Sequence, residues 1–497
     1  MRLSAYGGLA VLVASCFSGA DAHAAVRVPT LIANHMVIQR DLPVHLWGNA
    51  DPGEVIVAVF QGASARTAPD EYGRWSLYLP AAKVGGPYDL EIRGTNTIQI
   101  QDILVGDIWV GSGQSNMGFN VGRVSNAAAE LAAADQPRIR LFHVQQTASD
   151  YPVDDAPTAT WTVCTPESVK DFSAVAYFFA RKIQDDQKVP IGLVEAAFGG
   201  PAEAWTSLKA LSADASLMPL FQARAKLTEE ETALVLRDKI WQSRTDEAKV
   251  AGKPLPPPPP PRAGLALFGP ANLFNGMIAP LTSMPIRGVI WYQGESSSDP
   301  MRAPFYGRVF QTLIADWRAR WGEGDFPFLF AQLANFKGAD PVPWGLVRNG
   351  QLSALSVRNT AMAVTNDIGN PDDIHPTNKQ DVGARLALAA RALAYGEKIE
   401  YSGPLYRSLI LENGKLRVWF DHAASGLAFH SKEPKDVEIA GSDGMFVPAE
   451  VKIEGDSLVL SSPQVAIPRH VRYGWSDGRP GDLYNGEGLP ASPFISN

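Results

Sequence analysis

Residues 106–118 read GDIWVGSGQSNMG, an apolar run that stops abruptly at a glycine-flanked Gln-Ser-Asn. Taken alone, Ser115 could simply end a strand in a turn. It could equally be a nucleophile held up by that strand. The surrounding pattern decides between the two. DIWV precedes the Ala-rich stretch 124–134, and IGLVEAAF (191–198) follows a segment in which Val175, Phe178, Phe179 and Ile183 recur at helical spacing. GVIWY (288–292) leads to a segment in which Val309, Leu313, Trp317 and Trp321 recur every fourth residue. FPFLFAQL (326–333) and TAMAVT (360–365) are further strand candidates, the second followed by a helix from about Asn378 to Tyr395. Such alternation predicts an α/β fold, a three-layer α/β/α arrangement around a parallel sheet.

Both flanks carry a different rhythm. Runs such as VHLWG, EVIVAVF, GRWSLYLP and YDLEIRG before residue 105, and LRVWFDH, DVEIAG, SLVLSS and VRYGWSD after Gly403, alternate apolar and polar residues between turn residues. They predict β-sandwich-like domains at both ends. The expected division is an export signal over 1–25, a β domain over 26–105, a catalytic α/β domain over 106–400 and a second β domain over 401–497. Within the α/β domain, a charged helical insertion over about 208–262 ends in Pro256–Pro261, read as a stiff polyproline II linker.

Composition narrows the function. Hydrophobic residues make up 45% of the 497 and charged residues 19%, as in packed globular domains. A formal net charge of −8 argues against nucleic acid as a partner. The first residues carry Arg2, a short apolar stretch Leu9–Ala14 and the small-x-small Ala22-His23-Ala24, the pattern of an export signal cleaved after Ala24. Val13-Ala14-Ser15-Cys16 offers lipid attachment as the alternative. No later stretch is apolar enough to predict a transmembrane segment. A periplasmic or secreted protein without disulfides is expected, since Cys164 has no partner once Cys16 leaves. No cofactor and no metal are expected: Gly111-x-Gly113 lacks the third glycine of a dinucleotide fingerprint, and no clustered His or Cys ligand set appears. Nothing in the sequence speaks to oligomeric state.

Parallel strands bring their following loops to one sheet edge, where α/β proteins bind ligands. Four such loops carry Gly113-Gln114-Ser115-Asn116, Gly199-Gly200, Gln293-Gly294-Glu295 and Asp372-Asp373-Ile374-His375. They supply the parts of an acyl-transfer site. A serine hydroxyl needs a base, and histidine suits that task near neutral pH. Of eight histidines only His143 and His375 fall in the α/β region. His143 lies in RIRLFHV, where a histidine packed in or beside the core is the simpler reading; His375 is the candidate base. Asp372 is the expected triad acid, with Asp373 a close rival and Asp367 a weaker one. Asp372 could instead cap the following helix or form an Asx turn. The Ser115 backbone N–H, that of Gly199 or Gly200 with Gly199 taken first, and the Gln293 amide are the expected oxyanion donors. Trp291 and Tyr292 are divided between a sugar-facing and a buried role. Glu203 and Glu295 either bond substrate hydroxyls or orient loop backbone, the second being preferred.

With these motifs in view, the chain resembles the sialate O-acetylesterase family, a branch of the SGNH (GDSL-like) hydrolases. SGQSNM (112–117), FGGPAEAW (198–205), WYQGES (291–296) and IHPTNKQDVGARLALAARALAYG (374–396) resemble its four blocks. VIQRDLPVHLWGNADPG, LFNGMIAPL and LYNGEGLPASPF extend the likeness along nearly the whole chain. Gln293 stands where the wider group has Asn, as this branch tends to do, and Ser297-Ser298-Asp299 follows WYQGES where the family often continues with Asn. The resemblance implies an SGNH-hydrolase-like fold and a serine esterase removing O-acetyl groups from sugars, with 9-O-acetyl sialic acid as the first substrate. Acetyl groups of plant polysaccharide, xylan or xyloglucan, are the runner-up. A non-catalytic carbohydrate-binding protein is the reading of another class.

Overall fold

The computed structural model describes residues 25–156, 158–259, 268–338, 340–432, 434–475 and 478–496. The proposed signal, its cleavage point and Cys16 lie outside them, as do Pro260 and Pro261. The central strands are β1 (Thr97–Gly113), β2 (Gln136–His143), β3 (Trp161–Cys164), β4 (Ile191–Ala197), β5 (Gly288–Tyr292), β6 (Phe328–Ala331) and β7 (Thr360–Ala363). Their order in the sheet is β7-β6-β5-β1-β4-β2-β3. All neighbours are parallel except β2 and β3. After β1 the chain lays down β2 and β3 on one side, returns with β4 between β1 and β2, then crosses to the other side with β5, β6 and β7 in order outward. β1 therefore sits at the switch point, where the loops leaving its carboxyl end diverge and a ligand can enter.

Strands β4 to β7 and the second half of β1 are buried on both faces, and their residues alternate between two cores. Ile108, Val110, Val289, Trp291, Phe328 and Phe330 point to one side, where helices Tyr306–Trp321 and Pro341–Ser353 cover them. Trp109, Ile290, Tyr292, Leu329 and Ala331 point to the other, under helices Ala174–Gln187 and Lys379–Leu393, which pack together. The four helical positions Val175, Phe178, Phe179 and Ile183 are all buried there. Trp291 and Tyr292 are thus buried strand residues, which settles their divided reading: Trp291 meets Trp205 and Trp317 edge-on.

The expected boundary at residue 105 falls inside a strand. β1 pairs through its first half with strand Gly85–Arg93 and with Val37–Gln39, and through its second half with β4 and β5. One long strand therefore belongs to both units, and the first β region extends the central sheet, giving eleven strands in all. A sequence boundary drawn at a change of rhythm cannot show this, because the change happens within continuous backbone. The last β region is sandwich-like: one antiparallel sheet over residues 405–461 and another over 437–495 enclose Leu416, Val418, Ile439, Leu460, Val471 and Phe494. It docks beside the ends of β6 and β7, where Gln332 donates to Ser492 Oγ (2.9 Å) and Arg348 to the Gly474 carbonyl (3.2 Å).

In the insertion, helix Met218–Val250 is followed by Pro256–Pro259, which folds back along it. Trp241 Nε1 donates to the Pro256 carbonyl (3.3 Å), and Pro256, Pro257 and Pro259 line a groove with Ala233, Leu236 and Ile240. This part of the run is a packed strap on its own helix, in contrast to the spacer expected.

Gly113 ends β1 at φ +135°, and a Cβ there would lie 2.1 Å from the Tyr292 carbonyl oxygen. Only glycine fits. Gly113→Ala is expected to cost about 2–4 kcal/mol and to displace the Ser115 loop. Thermal melting and ester hydrolysis should fall together; an unchanged melting temperature with full activity would show that this turn tolerates a side chain.

Candidate active site

Ser115 is exposed on the turn that leaves β1, and two backbone bonds fix that turn between its neighbours. Gln114 N–H donates to the Tyr292 carbonyl at the end of β5 (3.0 Å), and Phe198 N–H, past the end of β4, donates to the Gly113 carbonyl (3.0 Å). Met117 and Gly118 close the turn by donating to the Gln114 carbonyl (2.8 and 3.0 Å). From the far side of the sheet, beyond β7, the loop preceding helix Lys379–Leu393 brings His375 Nε2 to 2.8 Å from Ser115 Oγ. These two residues stand 260 positions apart in the chain. A ring nitrogen at this distance can take the hydroxyl proton.

The acid beside His375 is Asp373, where the sequence reading favoured Asp372. Asp373 Oδ1 accepts the His375 backbone N–H (2.8 Å) and lies 3.7 Å from Nδ1, the length of an ion pair. Asp373 makes the local Asx-type turn, and the cap of the following helix is Asn378, whose side chain accepts from Asp381 N–H. Asp372 donates its own N–H to Asn370 Oδ1 (3.0 Å), and among the described residues its exposed carboxylate meets no donor. Asp367 is spent on Arg385, which clasps it with two bonds of 2.6 and 2.7 Å. Adjacent aspartates on one loop differ only in where the turn points them, and that is not encoded in spacing.

Among the described residues the N–H groups of Ser115 and Gly199 have no acceptor, and Gly199 is exposed with open space where a Cβ would stand. Both remain free for a developing oxyanion. Gln293 departs from expectation: it is wholly buried, and its Nε2 is committed to the Gly200 carbonyl (3.2 Å) and Ser297 Oγ (3.1 Å). It braces the Gly199-Gly200 loop from beneath instead of presenting its amide to Ser115.

The sequence family model for carbohydrate esterases, sialic acid-specific acetylesterase, matches residues 105–236 and 269–392. The chain belongs to that family. It is a carboxylic ester hydrolase. Rat sialate O-acetylesterase is 31% identical over 527 residues, covering 95% of this chain and 94% of the relative. The human sialate O-acetylesterase is 29% identical over 531 residues, covering 95% and 92%. Among solved structures, a carbohydrate acetylesterase from Xanthomonas citri is 36% identical and superposes with a TM-score of 0.81 over 95% of this chain and 99% of that one.

Beneath the Ser115–His375 pair of this esterase lies a buried polar knot that spacing did not expose. Asn116 Nδ2 donates to the Ile374 carbonyl (2.9 Å) and to Glu295 Oε1 (2.5 Å), while its Oδ1 accepts from Lys379 Nζ (2.5 Å). One side chain therefore ties the serine loop to the histidine loop and to the loop after β5. Glu295 and Glu203 both hold loops, the second through Arg302 Nε (2.7 Å). Burial raises the Glu295 pKa and pushes the Lys379 ammonium down to about 7, although Glu295 and Asp373 favour its charge. The Lys379 ammonium also sits over the rings of Phe119 and Tyr292 (4.9 and 5.3 Å). An Asn after the serine and a Lys at the start of a helix were visible in the sequence, but nothing marked them as partners. Cys164 is buried and its thiol is pushed up to about 12 by burial, leaving it inert.

Lys379→Met leaves Asn116 Oδ1 without its donor and Glu295 without its counter-charge, and is expected to cost about 3–5 kcal/mol in denaturant unfolding. Adding Glu295→Gln should recover about 1–3 kcal/mol of that loss. Simple additivity of the two changes would show that the residues do not act as one unit.

Proposed function

We propose that this esterase removes O-acetyl groups from sugars, acting first on 9-O-acetyl sialic acid, with Ser115, His375 and Asp373 as its triad. The 2.8 Å approach of His375 Nε2 to Ser115 Oγ carries the reading. His375 accepts the hydroxyl proton as Ser115 Oγ bonds to the acetyl carbonyl carbon. The N–H groups of Ser115 and Gly199 receive the oxyanion, and Gln293 holds the Gly199 loop in place. As the tetrahedral intermediate collapses, the bond to the sugar oxygen breaks and His375 returns the proton to that oxygen. Water, deprotonated by the same histidine, then releases acetate and restores Ser115. Asp373 orients the ring and stabilises the imidazolium. Export, guided by the first residues, would place this activity in the periplasm or outside the cell.

The names of the mammalian relatives support the sialate substrate. The Xanthomonas citri relative, a carbohydrate acetylesterase at higher identity, keeps xylan and xyloglucan acetyl groups as a second reading. Acetate release from 9-O-acetyl sialic acid, acetylated xylan and acetylated xyloglucan fragments separates them, the first being expected to give the highest kcat/KM. Ser115→Ala should lower that release by at least about a thousandfold. Equal release by wild type and variant would overturn the nucleophile, and selective release from xylan would move the substrate to the second reading.

Two further outcomes test the acid and the base. Asp373→Asn is expected to lower kcat by about a hundredfold, whereas Asp372→Asn should leave it close to wild type; the reverse would restore Asp372. Burial lowers the His375 pKa, with Lys379 and Arg123 adding to the shift and Asp373 opposing it. The neutral imidazole is the active form, so a lowered pKa extends activity toward acid. The acid limb of kcat/KM for an aryl acetate is expected below about pH 6.5, the ordinary histidine value. A limb above that value would contradict the assignment.

A further inference from the structure

A cavity of about 690 Å³ opens on the same sheet edge as Ser115, on the β4-β2-β3 side. Its wall includes Gly118, three residues past Ser115 and part of the same turn. The segment from Gly118 onward links it to the histidine loop: Asn120 lines the cavity, and Ser125 bonds Thr377, two residues from His375, through backbone (3.2 Å) and hydroxyl (2.8 Å). On the other wall Gln146 Nε2 donates to the Ala197 carbonyl, just before the Gly199 loop (3.1 Å). The walls of the cavity are thus joined to the loops that carry Ser115, His375 and Gly199.

Among its lining residues is His143, which the sequence reading placed in or beside the core. Its side chain is half exposed, and Nδ1 lies 3.2 Å from Glu195 Oε2. Glu195 is buried and also accepts the Ser173 N–H (2.8 Å), so it fixes the ring, and among the described residues Nε2 has no hydrogen-bond partner. Around this pair stand carboxamides and hydroxyls: Asn120, Gln145, Gln146 and Thr160. Leu141 and Phe172 add apolar surface. The remaining acid, Asp171, accepts from Asn120 Nδ2 (3.4 Å). Among the described residues, no lysine or arginine lines the cavity. Mixed donors and acceptors over an apolar floor, without surplus positive charge, match a polyhydroxylated ring and not a carboxylate.

We propose that this cavity is the subsite for the neutral, hydroxyl-bearing part of the sugar whose acetyl group is removed, with His143 and Thr160 bonding its hydroxyls. The proposal rests on the sugar-ester reading above and extends it to residues that the triad does not touch. The acidic group of a sialic acid then faces away from His143.

Competitive inhibition of aryl acetate hydrolysis by N-acetylneuraminic acid, by its methyl ester and by xylotriose tests this directly. Wild type, His143→Leu, Gln145→Ala and Thr160→Val are compared through Ki divided by the KM for aryl acetate. That ratio is expected to rise about tenfold in His143→Leu and about threefold in Thr160→Val for the sugar that competes. The two rim substitutions keep the test open should loss of the Glu195 partner unfold the first variant. Acid and methyl ester should lose affinity alike. The cavity assignment is overturned if neither sugar competes in the wild type, if Ki moves only in step with KM in every variant, or if esterification alone abolishes the His143 effect. Failure of the wild type to cleave 9-O-acetyl sialic acid, with xylotriose competing through His143, would instead overturn the sialate substrate and leave the cavity standing.

Discussion

The close approach of Gly113 to the Tyr292 carbonyl is the contact on which the rest of the sheet edge depends. It lets β1 leave the sheet without a side chain in the way, so that Gln114 can donate to that same carbonyl and Gly113 can accept from Phe198. Three adjacent parallel strands are thereby locked together at their carboxyl ends. The serine loop, the Gly199 loop and the loop after β5 inherit their relative positions from backbone geometry, before any side-chain interaction is made. Preorganisation of this kind is what an acyl-transfer site requires, because donors and nucleophile must already be placed when charge develops.

Side chains then add the fourth loop. Asn116 reaches across to the Ile374 carbonyl, and Lys379, at the start of the helix after His375, reaches back to Asn116. His375 is thus held from both ends of its own loop. The cost is a buried Lys379 and Glu295, each driven by burial toward its neutral form. Asn116 bonds both, and removing either charge leaves the other buried without its counter-charge, which is why such a knot is kept or lost as a unit. Glu203 and Gln293 do comparable work one layer out, on the loops that flank the serine.

Much of this was legible in the sequence because periodicity and strand ends are local signals. The alternation of strands and helices from residue 107 to 395 corresponds to the parallel sheet, and two conspicuous strand-end loops carry the serine and histidine that meet. What was not legible is geometric. Asp372 and Asp373 are adjacent, and only the turn decides which carboxylate faces the ring. Gln293 looked like a donor to the site, yet burial turns its amide toward Gly200 and Ser297. His143, in the run RIRLFHV, reads as packed in or beside the core; it lies beside it, half exposed at the end of its strand, where it lines a cavity. The boundary at residue 105 failed for a related reason: β1 is one strand shared by two units.

The central claim is that Ser115, activated by His375, is the residue that becomes acylated. Labelling the intact protein with a serine-directed organophosphonate and mapping the adduct by peptide mass spectrometry tests this most directly. The account predicts one adduct, on the peptide containing Ser115, that is abolished by acetylated substrate at saturation and lost in His375→Ala. An adduct on any other serine, or unchanged labelling of Ser115 without His375, would contradict it.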